Sequence, residues 1–186
     1  MKVLVWALGV IIVLGLAMAS LANDGLPLNA SPGTMSPVYE TMYLAAAKTC
    51  PGLPPEVLMA IGQIESGHGA NPGPSYAGAM GSMQFMPATW VAYGVDGNHD
   101  GNVDPFDPAD AIPTAARLLC ADGGADPKTL IDAVALYNPG DPTYAFAVME
   151  VANGYEKDLP GNPTSTVTAP PTATVTAPPT ATATPH

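Results

Sequence analysis

Basic residues are nearly absent from this chain. Its 186 residues hold five Lys and Arg against sixteen Asp and Glu, a formal net charge of −11. After Lys2 the bases are Lys48, Arg117, Lys128 and Lys157, so there is no basic patch to hold phosphates and nucleic acid is not an expected partner. Cysteine is scarcer still: Cys50 and Cys120 are the two present. Strand-like alternation of apolar and polar residues is missing throughout, which argues against a sheet.

One long apolar run stands at the start. Residues 1–22 carry a single Lys and then an unbroken apolar stretch, which suits a secretory signal or an uncleaved membrane anchor over residues 3–22. Ala17 and Ala19, or Ser20 and Ala22, offer small-residue cleavage sites. No Cys follows the run, so a lipoprotein anchor has no attachment point. In an exported chain, Cys50 and Cys120 read as one disulfide rather than a metal or redox site, the alternative being two free buried thiols.

Composition divides the rest. Residues 23–35, rich in Asn, Gly, Pro and Ser, read as a linker. Residues 159–186 turn to Thr, Ala and Pro, and TVTAPPTA at 166–173 recurs at 174–181. With no apolar face to bury, this tail is expected to be extended and disordered. Between them, residues 36–158 form one expected domain.

Helix punctuation in that domain is dense. Asp-Pro occurs at 107–108, 126–127 and 141–142; Asp caps free N–H groups and Pro fits the first turn without losing a hydrogen bond. Ser36-Pro37 and Pro54-Pro55 are placed to do the same earlier. Apolar residues follow at helical spacing: Val38, Met42, Tyr43 and Ala46; Val57, Leu58, Ile61 and Ile64; Ala116, Leu119 and Cys120; Leu130, Val134 and Tyr137; Phe146, Met149 and Val151. The pattern predicts a mainly α domain, with Pro113 kinking one helix.

Glu65, in "AIGQIESGHGA" at 60–70, closes the second predicted helix. Partial burial and the negative end of the helix dipole both disfavour its carboxylate. A carboxyl kept neutral near neutral pH can donate a proton to a leaving oxygen. Glycoside cleavage usually needs a second carboxylate as nucleophile or base, and none stands out nearby in sequence. A single acid suffices where the substrate supplies its own nucleophile. His68, in the glycine-rich loop after Glu65, reads as a surface histidine without a role.

"IESGHG", then "GAMGSMQFMPATW" at 78–90, then "ALYNPG" at 135–140 together resemble the lytic murein transglycosylases of the goose-type-lysozyme-like superfamily, particularly the soluble and B-type branches. The resemblance covers most of residues 40–155 and implies a lysozyme-like helical fold. It implies that Glu65 is the single acid/base, protonating a glycosidic oxygen in peptidoglycan and then deprotonating the C6 hydroxyl of N-acetylmuramic acid to leave a 1,6-anhydromuramyl end. Gly78, Gly81, Ser82, Met83 and Gln84 match the family's Gly-x-x-Gly-x-x-Gln-Phe-x-Pro loop, and Tyr137-Asn138 its Tyr-Asn pair beside the glycan. Ser82, Met83, Gln84, Tyr76, Tyr137 and Asn138 are therefore the candidate glycan contacts. Tyr76, Trp90 and Tyr93 are candidates to stack on sugar, one of them being core. Met59, Met80, Met83 and Met86 are expected in the core or cleft wall.

"DGNHDGNVDPFD" at 96–107 matches the front half of the twelve-residue calcium loop. Asp96, Asn98 and Asp100 fill positions 1, 3 and 5. Gly101 makes the turn, Asn102 offers a carbonyl, Asp104 stands at position 9 and Asp107 at position 12, where Glu is usual. The B-type enzymes carry an EF-hand-like loop in a similar place, so the resemblance also implies structural Ca2+. Asp107 is claimed twice, as ligand and as helix cap. The expected protein is an exported, monomeric envelope enzyme acting on glycan strands. A lysozyme-type hydrolase and a noncatalytic calcium-stabilised glycan-binding module remain alternatives.

Overall fold

Residues 34–159 of the computed structural model are described here. The export segment expected over 1–22, the linker up to residue 33 and the tail from residue 160 lie outside them. Six helices are formed among the described residues: α1 (Pro37–Ala47), α2 (Pro55–Ser66), α3 (Pro87–Tyr93), α4 (Pro108–Ala121), α5 (Leu130–Tyr137) and α6 (Tyr144–Asp158). No strand forms among them; an isolated bridge joins Met80 to Phe85.

Proline opens the first four helices. The Ser36 hydroxyl accepts from the Tyr39 N–H to cap α1, and Asp107 Oδ1 accepts from the Ala109 N–H to cap α4. The other two Asp-Pro pairs act differently from the expectation. Asp126 and Asp141 each cap a tight turn through Oδ1, bonding the N–H of Lys128 and Thr143. Helices α5 and α6 begin only after those turns, at Leu130 and Tyr144. Pro113 does not end α4, which runs unbroken to Ala121. The seven-residue α3 was not foreseen, because its sequence reads as the end of the glycine-rich motif.

Helix α2 is the centre of the domain. Every residue from Val57 to Gly62 is buried, since α1, α4 and α6 all pack on it. Leu58, Met59 and Ile61 are fully buried, each burial stabilising the fold by about 1.5–3 kcal/mol. The last turn emerges from this packing, so Ile64 is 38% exposed instead of joining the core. Val38 and Phe146, assigned to apolar stripes, are also exposed; on α6 Val151 is buried as expected and Met149 packs on the core, together with buried Tyr144, Ala145, Val148, Ala152 and Tyr155.

Cys50, just past α1, is disulfide-bonded to Cys120 near the end of α4, with a Cα–Cα distance of 5.9 Å. The bond staples two packed helices across 70 residues of sequence. Constraining that loop in the unfolded chain stabilises the fold by about 4 kcal/mol on the chain-entropy model.

Candidate functional site

Glu65 lies where the buried α2 reaches the surface, and Gly67 ends the helix in the left-handed conformation at φ 62°. Tyr144, the first residue of α6, donates its hydroxyl to Glu65 Oε1 at 2.6 Å. Burial is the larger influence and raises the Glu65 pKa; the Tyr144 hydrogen bond opposes it without cancelling it. No second carboxylate contributes to that shift. Tyr137 stacks on Tyr144 with ring centroids 6.3 Å apart and planes within 5°. Burial pushes the Tyr137 phenol well up, and the Glu65 charge adds to it, which puts both tyrosines beside the carboxylate. Tyr144 was missed in the sequence because it lies outside the Tyr-Asn motif; its place at the start of a helix gave no chemical signal.

The glycine-rich motif is a closed loop. Met80 and Phe85 exchange both backbone hydrogen bonds at 2.9 Å, with Gly81 at φ 76° and Gln84 at φ 50°. A Cβ at Gly81 would stand 1.6 Å from the Pro105 carbonyl oxygen, so glycine is required both for the turn and for this approach. Tyr137 donates to the Met83 carbonyl at 2.9 Å, and Ser66 donates to the Ser82 carbonyl at 2.6 Å. The first bond holds the loop to the end of α5 and the second to the last turn of α2, beside Glu65.

Individual loop residues are placed unevenly. Met83 is fully buried, with its carbonyl accepting from Tyr137. Ser82 is buried too, with the Tyr39 hydroxyl as polar neighbour. The Gln84 amide spends its N–H groups on the Pro72 and Gly81 carbonyls, so it shapes the loop. Asn138 is exposed at the end of α5, and Tyr76 is fully exposed. Trp90 is the core member of the three stacking candidates, packed on Phe85 at 5.3 Å. Met59 and Met83 are core, whereas Met86 is exposed.

His68 departs from expectation: it is buried, 8% exposed. Its Nδ1 lies 3.1 Å from the Tyr43 hydroxyl and its Nε2 2.8 Å from that of Tyr155. The glycines around it suggested a surface loop, whereas the backbone folds back beneath α2.

The acidic loop draws its own side chains together. Asp96 accepts from the N–H groups of Asp100 and Gly101, and Asp100 from that of Asn102. The Asn98 amide donates to Asp100 and, at 3.0 Å, to Asp107 Oδ2. Asp107 thus divides its oxygens between cap and loop. Asp104 accepts from the Phe106 N–H, and Asn102 stays exposed. Buried Asp110, unremarked in the sequence, ties both ends down, accepting from Gly97 and Asp104 N–H groups. These donors are all oxygens on a calcium-loop frame, which fits a hard cation. Among the described residues, however, no three His, Cys, Asp or Glu side chains are grouped as a cation would hold them; N–H and amide donors hold the carboxylates instead.

Residues 72–145 match the transglycosylase SLT domain. The matched stretch takes in the glycine loop, the acidic loop, Tyr137 and Tyr144, and begins after Glu65. The chain is 47% identical over 49 residues to membrane-bound lytic murein transglycosylase B of Escherichia coli, a match spanning 26% of this chain and 14% of that relative. In fold, the chain is similar to the E. coli lytic transglycosylase Slt35 in complex with calcium, with a TM-score of 0.52 at 17% identity over 66% of this chain and 75% of that one. Slt35 in complex with bulgecin A gives the same score and identity over 76% and 82%. The fold is thus mainly helical and lysozyme-like, as expected.

Proposed function

We propose that this protein is a peptidoglycan lytic transglycosylase with Glu65 as its single general acid/base. The observation that carries the reading is a half-buried carboxyl whose pKa is raised by burial, held by one phenol and influenced by no second carboxylate. Neutral Glu65 gives its proton to the oxygen linking N-acetylmuramic acid to N-acetylglucosamine as the C1–O bond breaks. The muramic C6 oxygen then bonds to C1, and its proton passes to the Glu65 carboxylate. The products are a free 4-hydroxyl and a 1,6-anhydro ring; no water is consumed and the acid is regenerated. Tyr144 steadies the carboxylate between the two proton transfers.

Gln84, Ser82 and Met83 shape the loop opposite Glu65, and Tyr76 and Asn138 offer exposed groups to the glycan. The SLT-domain match and the similarity to a membrane-bound envelope enzyme support this substrate class and an envelope location. The apolar segment at 3–22 supports export, with residues 36–158 as the catalytic domain. Structural calcium at Asp96, Asn98, Asp100, Asn102, Asp104 and Asp107 is supported by the all-oxygen loop.

The test is mass spectrometry of muropeptides released from purified peptidoglycan by the full chain and by Glu65→Gln. Anhydromuramyl ends from the wild type and none from the variant are expected. Reducing ends would make it a hydrolase, and unchanged release by Glu65→Gln would remove Glu65 from the chemistry.

A further inference from the structure

His68 is enclosed by three phenols, those of Tyr39 and Tyr43 on α1 and Tyr155 on α6, with ring centroids 6.2, 5.7 and 6.1 Å away. Its backbone sits at φ 56°, a conformation that costs a non-glycine residue about 1–2 kcal/mol. A buried imidazole held in that conformation requires compensation from its side chain.

The hydrogen-bond partners point to one order of protons. Tyr155 donates its one hydroxyl proton to Gln63 Oε1 at 2.6 Å. It must therefore accept from His68, which puts the imidazole proton on Nε2. A neutral ring protonated there leaves Nδ1 as acceptor for the Tyr43 hydroxyl at 3.1 Å, a shorter contact than that of the same hydroxyl to Met83 Sδ at 4.0 Å. The chain runs in one direction, Tyr43 to His68 to Tyr155 to Gln63. Burial lowers the His68 pKa, which favours the neutral ring this order requires.

Two members of that chain flank the acid in sequence. Gln63 precedes Glu65 by two residues and His68 follows it by three. The main chain is closed over the same turn by Gly67 N–H to the Gln63 carbonyl and His68 N–H to the Gly62 carbonyl, both at 2.9 Å. Gly62 has its own part: a Cβ there would lie 1.9 Å from the Tyr43 hydroxyl. A glycine inside a helix costs about 1 kcal/mol relative to Ala, and here it makes room for the donor that His68 needs.

We propose that His68 is a positioning residue for Glu65: as a neutral, Nε2-protonated imidazole it ties the last turn of α2 to α1 and α6 and so sets the carboxyl beneath Tyr144. The proposal rests on the reading of Glu65 as the acid/base. Without the tie, the turn loosens and Glu65 is less shielded from water between Tyr137 and Tyr144.

The tautomer is read directly from imidazole nitrogen NMR of the full chain, with His68→Gln assigning the signal. A neutral ring protonated on Nε2 at pH 7 is expected; a proton on Nδ1, or on both nitrogens, would overturn the proposal. In kinetics on purified peptidoglycan, His68→Gln should lower kcat about tenfold at nearly constant KM. The alkaline limb of its pH profile should move to lower pH, because a more hydrated Glu65 loses its proton more easily. Tyr43→Phe, which keeps the ring and removes only the hydroxyl that meets Nδ1, should move the limb the same way even if the histidine variant does not fold. Folded variants with an unmoved limb and wild-type kcat would refute the role of His68. An active Glu65→Gln enzyme would instead remove the reading of Glu65 itself, so the two failures are distinct.

Discussion

The Tyr144 hydroxyl donates to Glu65 Oε1 at 2.6 Å from the first turn of a helix whose other end, at Tyr155, is bonded to His68 and Gln63. Helix α6 therefore governs both the acid and the turn that carries it. Two opposing influences meet at the carboxyl. Burial favours the neutral acid, which can protonate a leaving oxygen, while the phenol favours the carboxylate that remains. On the proposed mechanism, in which Glu65 acts first as acid and then as base, this opposition serves both steps.

Tyr144→Phe tests the second influence. Removing a hydrogen bond that lowers the Glu65 pKa pushes that pKa higher still, so the alkaline limb of activity should move to higher pH. The carboxylate left after proton transfer loses a charge-assisted bond worth about 1.5–3 kcal/mol. A fall in kcat of roughly tenfold or more is therefore expected. Measurement of kcat against pH checks both effects, and an unmoved limb would count against Tyr144.

Burial of Glu65 has a cost in stability whose sign can be fixed. Its folded pKa is raised, so between the unfolded and folded values the native state holds more protons than the unfolded chain. Stability is then greatest below the ordinary carboxylate range and falls as pH rises through the raised value. Glu65→Gln removes the charge and keeps an acceptor for Tyr144. It should raise Tm at pH 7 by about 2–5 °C, with the gain vanishing below the ordinary Glu pKa. Thermal melts of both proteins across pH would show it, and a destabilised variant at pH 7 would contradict the burial argument.

The helices were largely legible because capping and periodicity are local signals. Ser36, Pro55 and Asp107 open elements where the sequence placed them. Asp126 and Asp141 did not, because Asp-Pro serves a capped turn as readily as a helix. The place of Glu65 in the last turn of α2 was legible from the apolar spacing before it and the glycine after it. His68 and Tyr144 were not, since what distinguishes them is contact with residues 87 and 79 positions away, which no local pattern encodes. Asp110 was hidden for the same reason: its partners, Gly97 and Asp104, bond through backbone N–H groups that have no sequence signature.

Calcium should act on the glycine loop as well as on the acidic one. Pro105, within the acidic loop, presses its carbonyl so close to Gly81 that no side chain fits between them. Asp107, from the same loop, acts electrostatically on the Tyr39 phenol. A cation at Asp96, Asn98, Asp100 and Asp107 would replace the N–H and amide contacts that now hold these groups together and would fix Pro105 against Gly81. Calcium at a hundred times its Kd would then stabilise the protein by about 2.7 kcal/mol. Asp107→Ala should abolish that increment and cost about 1 kcal/mol more as a lost helix cap. Melting with calcium or a chelator measures the first effect. Amide hydrogen exchange of residues 81–84 measures the second, with faster exchange expected after chelation in the wild type and no calcium response in the variant. If exchange at 81–84 ignores calcium while Tm responds, the cation stabilises its own loop alone and the Gly81–Pro105 contact transmits nothing.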